Sequence, residues 1–434
     1  MTIWDPQHEA IDREPLEELQ LARLRDMLSR VYERVPFYRS RLDACGFTPG
    51  DLAGLDDLAR LPFTEKSDFR DNYPYGMFAV PLDEVVEIHS SSGTTGKAVV
   101  GGYTRADLET WAELVCRIAV AAGAGRGDIA QVAFGYGMFT GGFGLHYGLQ
   151  KAGVAVVPIS AGNTARQIKV MQDFGTTILI ATPSYSLYIG DVINKRGVEP
   201  GSLKLRLGMF GAETCSEEMR AQIEARLPIT ATDNYGLTEL IGPGVAGECE
   251  CRSGMHISED HFIAECLDPA TGEPVPDGEI GELVITALTR ECSPVLRYRT
   301  RDLTSITREP CACGRTTARM GKVVGRTDDM FIISGVNVFP SHVESVLFQI
   351  KGVEPFYQIV LDRSPGGLDT FEVQVEVTDG LFDGWMDDLR AFERRVTEEL
   401  RSALLVRPRV RLVEPGTLER SEGKARRVID RRPA

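Results

Sequence analysis

No uninterrupted apolar run in this chain approaches the roughly 18 residues that a bilayer-spanning helix needs. The opening stretch Met1-Thr2-Ile3-Trp4-Asp5-Pro6 has no basic segment leading into an apolar one. We therefore expect neither a membrane span nor a secretory leader, and a cytoplasmic location. Positive charge is also short: 48 Lys and Arg stand against 63 Asp and Glu, a net charge of −15. Such a surface repels phosphate backbones, which argues against nucleic acid as the principal partner and still allows a small anion in a locally positive cleft. Internal repeats and low-complexity tracts are absent. Cysteine is present in an odd number, nine, and four of them fall in Cys-x-Cys pairs, Cys249 with Cys251 and Cys311 with Cys313. That spacing suits metal chelation better than a disulfide framework and fits a reducing compartment.

What is there is an ordinary globular composition, 434 residues with 43% apolar, enough for a large core and two or three domains. Leu21, Leu24, Leu28, Val31 and Val35 recur in three- and four-residue steps and predict a core-facing helix in a helical first sixty residues. From about residue 128, β-branched runs at 154–157, 177–180, 203–209 and 229–232 alternate with helical stretches at 164–174 and 217–225. That alternation predicts βαβ units around a parallel sheet covered on both faces, with ligands at the carboxyl ends of its strands. Residues 272–301 read as antiparallel, with turns at Thr271-Gly272 and Asp277-Gly278 around a strand at 282–286. Beyond Arg326 a smaller unit reads as β-α-β-β-α-β: strand 331–334, helix 340–350, strands 356–361 and 371–377, a helix carrying Trp385, Leu389, Phe392, Val396 and Leu400, and strand 410–413.

The strongest local signal is Ser90-Ser91-Ser92-Gly93-Thr94-Thr95-Gly96-Lys97, after a strand-like Val85 to Ile88. Hydroxyls, glycines and one lysine make a loop whose N–H groups can wrap a polyphosphate. It is not a Walker A loop, which would need glycine where Ser91 stands and a hydroxyl where Ala98 stands.

Eight further motifs accompany it: Leu61-Pro62-Phe63-Thr64-Glu65-Lys66, Tyr136-Gly137-Met138-Phe139-Thr140-Gly141-Gly142, Phe210-Gly211-Ala212-Glu213, Tyr235-Gly236-Leu237-Thr238-Glu239, Arg297 to Leu303, Gly325 to Asp329, Gly335 to Pro340, and Gly423-Lys424 near the end. In this order they resemble the acyl-CoA synthetase, peptide-synthetase adenylation and luciferase superfamily, and within it most closely the phenylacetate–CoA ligase family. The resemblance runs almost end to end. It implies a large α/β domain over residues 1–325, with parallel sheets covered by helices and a small antiparallel part, and a mobile α+β lid over 326–434. It also implies ATP-dependent activation of an aromatic carboxylate as an acyl-AMP, followed by transfer to coenzyme A. The principal alternative is transfer to a carrier protein or another acceptor, and a non-enzymatic rival is a zinc-stabilised ligand sensor.

Residue by residue, the resemblance makes Lys424 the catalytic lysine, Glu239 the magnesium ligand and Thr238 the contact to the α-phosphate. Ser91, Ser92, Gly93, Thr94, Thr95, Gly96 and Lys97 become the phosphate loop. Gly211, Ala212, Glu213, Asp233, Asn234, Tyr235 and Gly236 become the walls beside adenine, and Asp302 with Arg326 the ribose site. Tyr136, Phe139, Gly141, Gly142, Ile241 and Pro243 would enclose the aryl group, Asp328 would be the hinge, and Gly335 would line the pantetheine tunnel. The chemistry needs such a set, because a carboxylate and a phosphate both carry negative charge and must be brought together by cations. The last 34 residues hold ten Lys and Arg against four Asp and Glu, which suits an anionic ligand.

Some members of the family carry a Cys/His set, and that likeness selects Cys249, His256, Cys311 and Cys313 as ligands of a structural zinc. A homodimer is expected on the same ground, and His261 is expected to be structural. The sequence departs from the family where Pro-Trp usually follows Gly-Ala-Glu, having Thr214-Cys215, and where a further Trp is replaced by Ser258. Phenylacetate, indole-3-acetate and hydroxylated or amino aromatic acids all remain candidates.

Overall fold

The computed structural model describes residues 1–91, 97–333, 336–363, 369–382, 386–421 and 425–432. After a single helical turn at Pro6–Glu9 comes the helix Arg13–Arg34, which buries Leu16, Leu24, Leu28 and Val31 on one stripe. The β-extended Val35 ends it, and Pro36, in the first turn, starts the next helix, Pro36–Ala44.

The centre is a nine-stranded sheet. Strands Ala155–Val157, Ile129–Val132, Ile178–Ala181, Leu207–Phe210 and Thr230–Leu237 run parallel. Helices Thr140–Lys151, Thr164–Phe174, Pro183–Lys195 and Glu217–Arg226 connect them, as the alternation predicts. Two boundaries move: the predicted 203–209 run becomes a strand only from Leu207, and 229–232 extends to Leu237. At Thr230–Leu237 the sheet changes character, since its other neighbour, Gly242–Glu248, is antiparallel. The strand Gly242–Glu248 has no alternation to betray it. Its glycines are required by the helix Arg105–Ala121: a Cβ on Gly242 would lie 2.6 Å from Trp111, and one on Gly247 2.4 Å from Ile118.

A four-stranded antiparallel sheet follows, in the order Phe262–Leu267, Gly281–Ala287, Val295–Thr304, Gly325–Arg326. Gly272 and Gly278 have positive φ, as turns at those glycines require. Upstream, the strand before the Ser/Thr/Gly loop is Glu87–Ser90, two residues later than its apolar residues suggest, and it pairs with Val100–Tyr103.

The C-terminal part corrects one expectation. Its sheet has the order Arg409–Val413, Asp369–Val377, Val353–Arg363, Val428–Asp430, and the predicted first strand is not in it. Phe331–Ile333 instead pairs antiparallel with Val336–Val338, a second short apolar triple close enough in sequence to be its partner. The vacated edge is taken by Val428–Asp430, parallel to Val353–Arg363. Helices Pro340–Gln349 and Met386–Leu404 pack on this sheet through Val343, Leu347, Phe392, Val396 and Leu400. Trp385 lies outside the described residues. Among the described residues, no helix is long and apolar enough to cross a membrane.

Candidate active site

Glu239 follows the strand at which the central sheet changes from parallel to antiparallel, and it is 5% exposed. Lys66 Nζ lies 3.4 Å from its Oε1, and burial together with the Glu239 charge raises the Tyr298 hydroxyl well above its ordinary value. The two partners arrive together. Thr64 bridges to Tyr298, its N–H donating to the Arg297 carbonyl and its carbonyl accepting from the Arg299 N–H, both at 3.0 Å. The motif at 61–66 is thereby fastened beside the strand Val295–Thr304, and Lys66 is delivered to the sheet end. Behind them the buried Arg290 donates to the carbonyls of Thr238 (3.4 Å), Glu239 (2.9 Å) and Leu240. One guanidinium thus fixes the turn that carries both Thr238 and Glu239.

Asp302 projects from the strand Val295–Thr304 into the same region and is 5% exposed. Tyr235 Oη donates to its Oδ2 at 2.5 Å, and Arg326 Nη1 to its Oδ1 at 2.7 Å. Burial raises the Asp302 carboxyl above its ordinary value, against the pull of Arg326 and the Tyr235 hydrogen bond. Arg326 also donates to both oxygens of Asp328, at 2.9 and 3.0 Å.

Gly211 to Glu213 follow the strand Leu207–Phe210 and lie beside Asn234. A Cβ on Gly211 would stand 2.8 Å from the Asn234 carbonyl, and one on Gly236 1.8 Å from that of Gly242. Ala212 has φ 66°, a conformation that L-residues avoid. The buried Asp233 is pushed up to about 7 by its desolvation and by the neighbouring Glu248, against Lys322 and Arg220.

The entry and exit of the Ser/Thr/Gly loop are clamped to each other: Ser91 N donates to the Val99 carbonyl at 2.9 Å, and Val99 N to Ser91 Oγ at 3.0 Å. Lys97 stands 6.0 Å from the centre of the Tyr73 ring. Tyr136, Phe139, Gly141 and Gly142 converge at the start of the helix Thr140–Lys151. The Phe139 ring lies where a Gly141 Cβ would fall, and the Tyr136 hydroxyl is 3.1 Å from His146 Nδ1. Thr140 Oγ1 is 3.4 Å from Thr238 Oγ1, joining this wall to the turn that carries Thr238 and Glu239. Ile241 and Pro243 are buried beneath it, their carbonyls accepting from Tyr103 Oη at 3.0 Å and Trp111 Nε1 at 2.6 Å. Ser92, Gly93, Thr94, Thr95, Gly96, Gly335 and Lys424 lie outside the described residues.

Away from this region Cys249, His256, Cys311 and Cys313 are all buried, and one ligand atom from each lies within 4.8 Å of the others. Cys249 Sγ and Cys311 Sγ are 3.8 Å apart, and Cys313 Sγ is 3.3 Å from His256 Nε2. The other ring nitrogen, Nδ1, faces Thr317 Oγ1 at 3.2 Å. Cys251 is outside the group, with its Sγ 3.5 Å from Met1 Sδ.

Residues 51–288 match the AMP-binding enzyme family, and residues 335–432 match the AMP-binding enzyme C-terminal domain. The chain belongs to the AMP-binding enzyme family. The phenylacetate-coenzyme A ligase of Thermus thermophilus is 48% identical to it over 444 residues, covering 99% of this chain and 100% of the relative. Among solved structures, 2-hydroxyisobutyryl-CoA ligase in its postadenylation state with 2-HIB-AMP superposes with a TM-score of 0.92 at 29% identity, covering 99% of this chain and 92% of that one. The same ligase with 2-HIB-AMP and CoA in its thioesterification state gives 0.73 at 29% identity, over 98% and 92%.

For a member of the AMP-binding enzyme family, three residues of this site escaped sequence reading. Lys66 was visible only as the end of a motif, Tyr298 as an interior strand residue and Arg290 as one arginine among many. Only the bridge at Thr64 and the carbonyls at 238–240 give them a place at the site. Arg220 belongs with them: it is 5% exposed and holds both oxygens of Glu248 at 2.7 Å, beside Asp233.

Proposed function

We propose that this AMP-binding enzyme is an ATP-dependent acid–thiol ligase that joins an aromatic carboxylic acid to coenzyme A through an acyl-adenylate. The observation that carries the reading is the convergence of Glu239, Lys66, Asp302 and Arg326, from four separated motifs, on one face of the sheet ends. The full-length relative named for phenylacetate supports an arylacetic acid as the substrate class.

In the first half-reaction a carboxylate oxygen bonds to the α-phosphorus of ATP and the bond to the β-phosphate oxygen breaks, releasing pyrophosphate. In the second, the coenzyme A sulfur bonds to the acyl carbon, the mixed-anhydride bond breaks, and AMP leaves with the electron pair while the thiol proton goes to solvent. The reacting groups are anionic, so the site's task is chiefly to supply positive charge and to hold the nucleotide.

Asp302 offers carboxylate oxygens to the ribose hydroxyls, with Arg326 fixing its orientation, and the segments at 211–213 and 233–236 wall the base. Thr238 faces the α-phosphate, and Lys66 and Lys424 supply cations. A buried carboxylate that already carries an ammonium partner is suited to a cation, so we assign Glu239 as the residue that would hold magnesium. When bound, that ion would offset charge on the phosphate oxygens. Tyr136, Phe139, Gly141 and Gly142 would receive the aryl ring, with Ile241 and Pro243 as floor.

The Cys249, His256, Cys311, Cys313 group suits a structural zinc. Sulfur ligands of a tetrahedral zinc stand about 3.8 Å apart, given bonds of about 2.3 Å, and the Thr317 hydroxyl engages Nδ1 so that Nε2 faces the ion. A boundary at residue 326, with Asp328 at the hinge and Gly335 by the thiol path, would let the smaller part rotate between half-reactions. The better superposition on the postadenylation form of one and the same ligase supports reading the present arrangement as the adenylating one.

The test is a panel of aromatic acids assayed for AMP formation with and without coenzyme A. We expect CoA-dependent turnover with an arylacetic acid. AMP formation that needs a carrier protein or an amine in place of coenzyme A would refute the assignment of the acceptor.

A further inference from the structure

Glu213 has a place that its position beside the adenine wall does not explain. Its carboxylate reaches two backbone N–H groups that belong to opposite sides of the interdomain cleft. Oε2 accepts from Ser184 N at 3.2 Å, in the first turn of the helix Pro183–Lys195. Oε1 accepts from Ala425 N. A second link runs alongside: Arg427 Nη2 donates to Ser184 Oγ at 3.3 Å. Arg427 is held in turn by its own unit, 4.5 Å from the centre of the Tyr357 ring and 3.8 Å from Glu344 Oε2, to which Tyr357 Oη donates at 3.0 Å. Phe356 is buried in the cluster of Tyr185, Leu187 and Met219, which belongs to the larger part, so apolar contact accompanies the polar links.

Ala425 is the residue after Lys424. A hydrogen bond to the Ala425 amide therefore tethers the chain one residue beyond that lysine in sequence. We propose that Glu213, with the Ser184–Arg427 pair, is a latch that holds the Lys424 segment in the adenylating arrangement and must open before the thiol step. The proposal rests on the adenylation-then-thiolation reading above. Glu213 acts through the Lys424 segment and is a positioning residue. One carboxylate with two N–H partners on separate oxygens suits a latch, because both bonds are charge-assisted. Glutamine cannot replace it, since its NH2 group would face one of the two donors.

The two half-reactions can be measured apart. Acid-dependent exchange of pyrophosphate into ATP without coenzyme A reads adenylation, and thioester formation from supplied acyl-adenylate and coenzyme A reads the second step. Losing one charge-assisted bond corresponds to about a tenfold change in rate. We expect Glu213→Gln and Arg427→Ala each to slow exchange by about that factor, with thioester formation unchanged or faster in Arg427→Ala. In Arg427→Ala, and in the milder Ser184→Ala, KM for ATP should stay within about twofold, since neither residue faces the nucleotide. Equal losses in both half-reactions in Arg427→Ala, or exchange at the wild-type rate in Glu213→Gln and Arg427→Ala, would overturn the latch.

A second readout needs no substrate. Amide hydrogen exchange across 425–432 should quicken in Glu213→Gln, and unchanged protection there would also overturn the proposal. A failure of the functional reading would look different: the wild-type protein itself would give no pyrophosphate exchange with any acid, while the amide measurement would still report on the latch.

Discussion

Arg326 donates to Asp302 at 2.7 Å with one nitrogen of its guanidinium and spans both oxygens of Asp328 with the others. A buried carboxylate on the proposed nucleotide side and an exposed one at the proposed hinge are thus tied by a single side chain. Lysine could not reproduce this, because a point charge lacks the planar fork. We expect Arg326→Lys to raise KM for ATP by about tenfold, the cost of one charged hydrogen bond, and to alter the second half-reaction as well. Steady-state kinetics with ATP and coenzyme A varied separately will check this; a change confined to KM for the acid would count against it.

Asp233 gives a pH signature. Its ordinary value is 3.8, and burial with the nearby Glu248 pushes it up to about 7. The folded protein therefore holds a proton that the unfolded chain has released throughout that window. The stabilisation is complete below about pH 4 and is lost as pH rises through about 7. Between pH 5 and 8, nucleotide-free wild type should lose more stability than Asp233→Asn, by an amount on the order of 2 kcal/mol. Denaturant melts of both proteins at the two pH values will measure the difference.

The Cys249, His256, Cys311, Cys313 group, read as a zinc site, predicts about one zinc per chain in purified protein. Cys311→Ser should lose the metal, and removing zinc by chelation should lower the melting temperature because a preformed site couples binding to folding. Cys251→Ser should retain zinc, since Cys251 stands outside the four-residue group. Elemental analysis of the three proteins distinguishes these outcomes.

How much of this was legible in the chain depended on whether the cause was local. The stripe Leu24, Leu28, Val31 and the alternation from residue 128 are local signals, and both produced the elements they predict. The strand Gly242–Glu248 was illegible because its glycines answer to Trp111 and Ile118, more than a hundred residues upstream. The edge strand Val428–Asp430 was hidden for the same reason, its partner being Val353–Arg363. In the site, Glu239 and Asp302 were named from motifs. Lys66, Tyr298 and Arg290 acquire meaning only from a backbone bridge and a set of carbonyls that no spacing encodes.

Lys66 supplies a further check. Its ammonium stands 3.4 Å from Glu239 Oε1. Removing it in Lys66→Met should lower the stability of the nucleotide-free protein by about 1 kcal/mol, a modest effect because the lysine is partly exposed. Magnesium and ATP should narrow that deficit, since the metal would take over as the partner of Glu239. Thermal melts with and without magnesium–ATP will show whether the gap closes.

In the proposed reaction ATP is cleaved between its α- and β-phosphates by an aromatic acid, with Lys424 assisting. The most direct measurement is acid-dependent exchange of labelled pyrophosphate into ATP without coenzyme A, in the wild type and in Lys424→Ala. The account predicts exchange in the wild type, a loss of at least about a hundredfold in the variant, and release of acyl-CoA only when coenzyme A is added. Exchange in Lys424→Ala at the wild-type rate, or no exchange by the wild type with any aromatic acid, would contradict it.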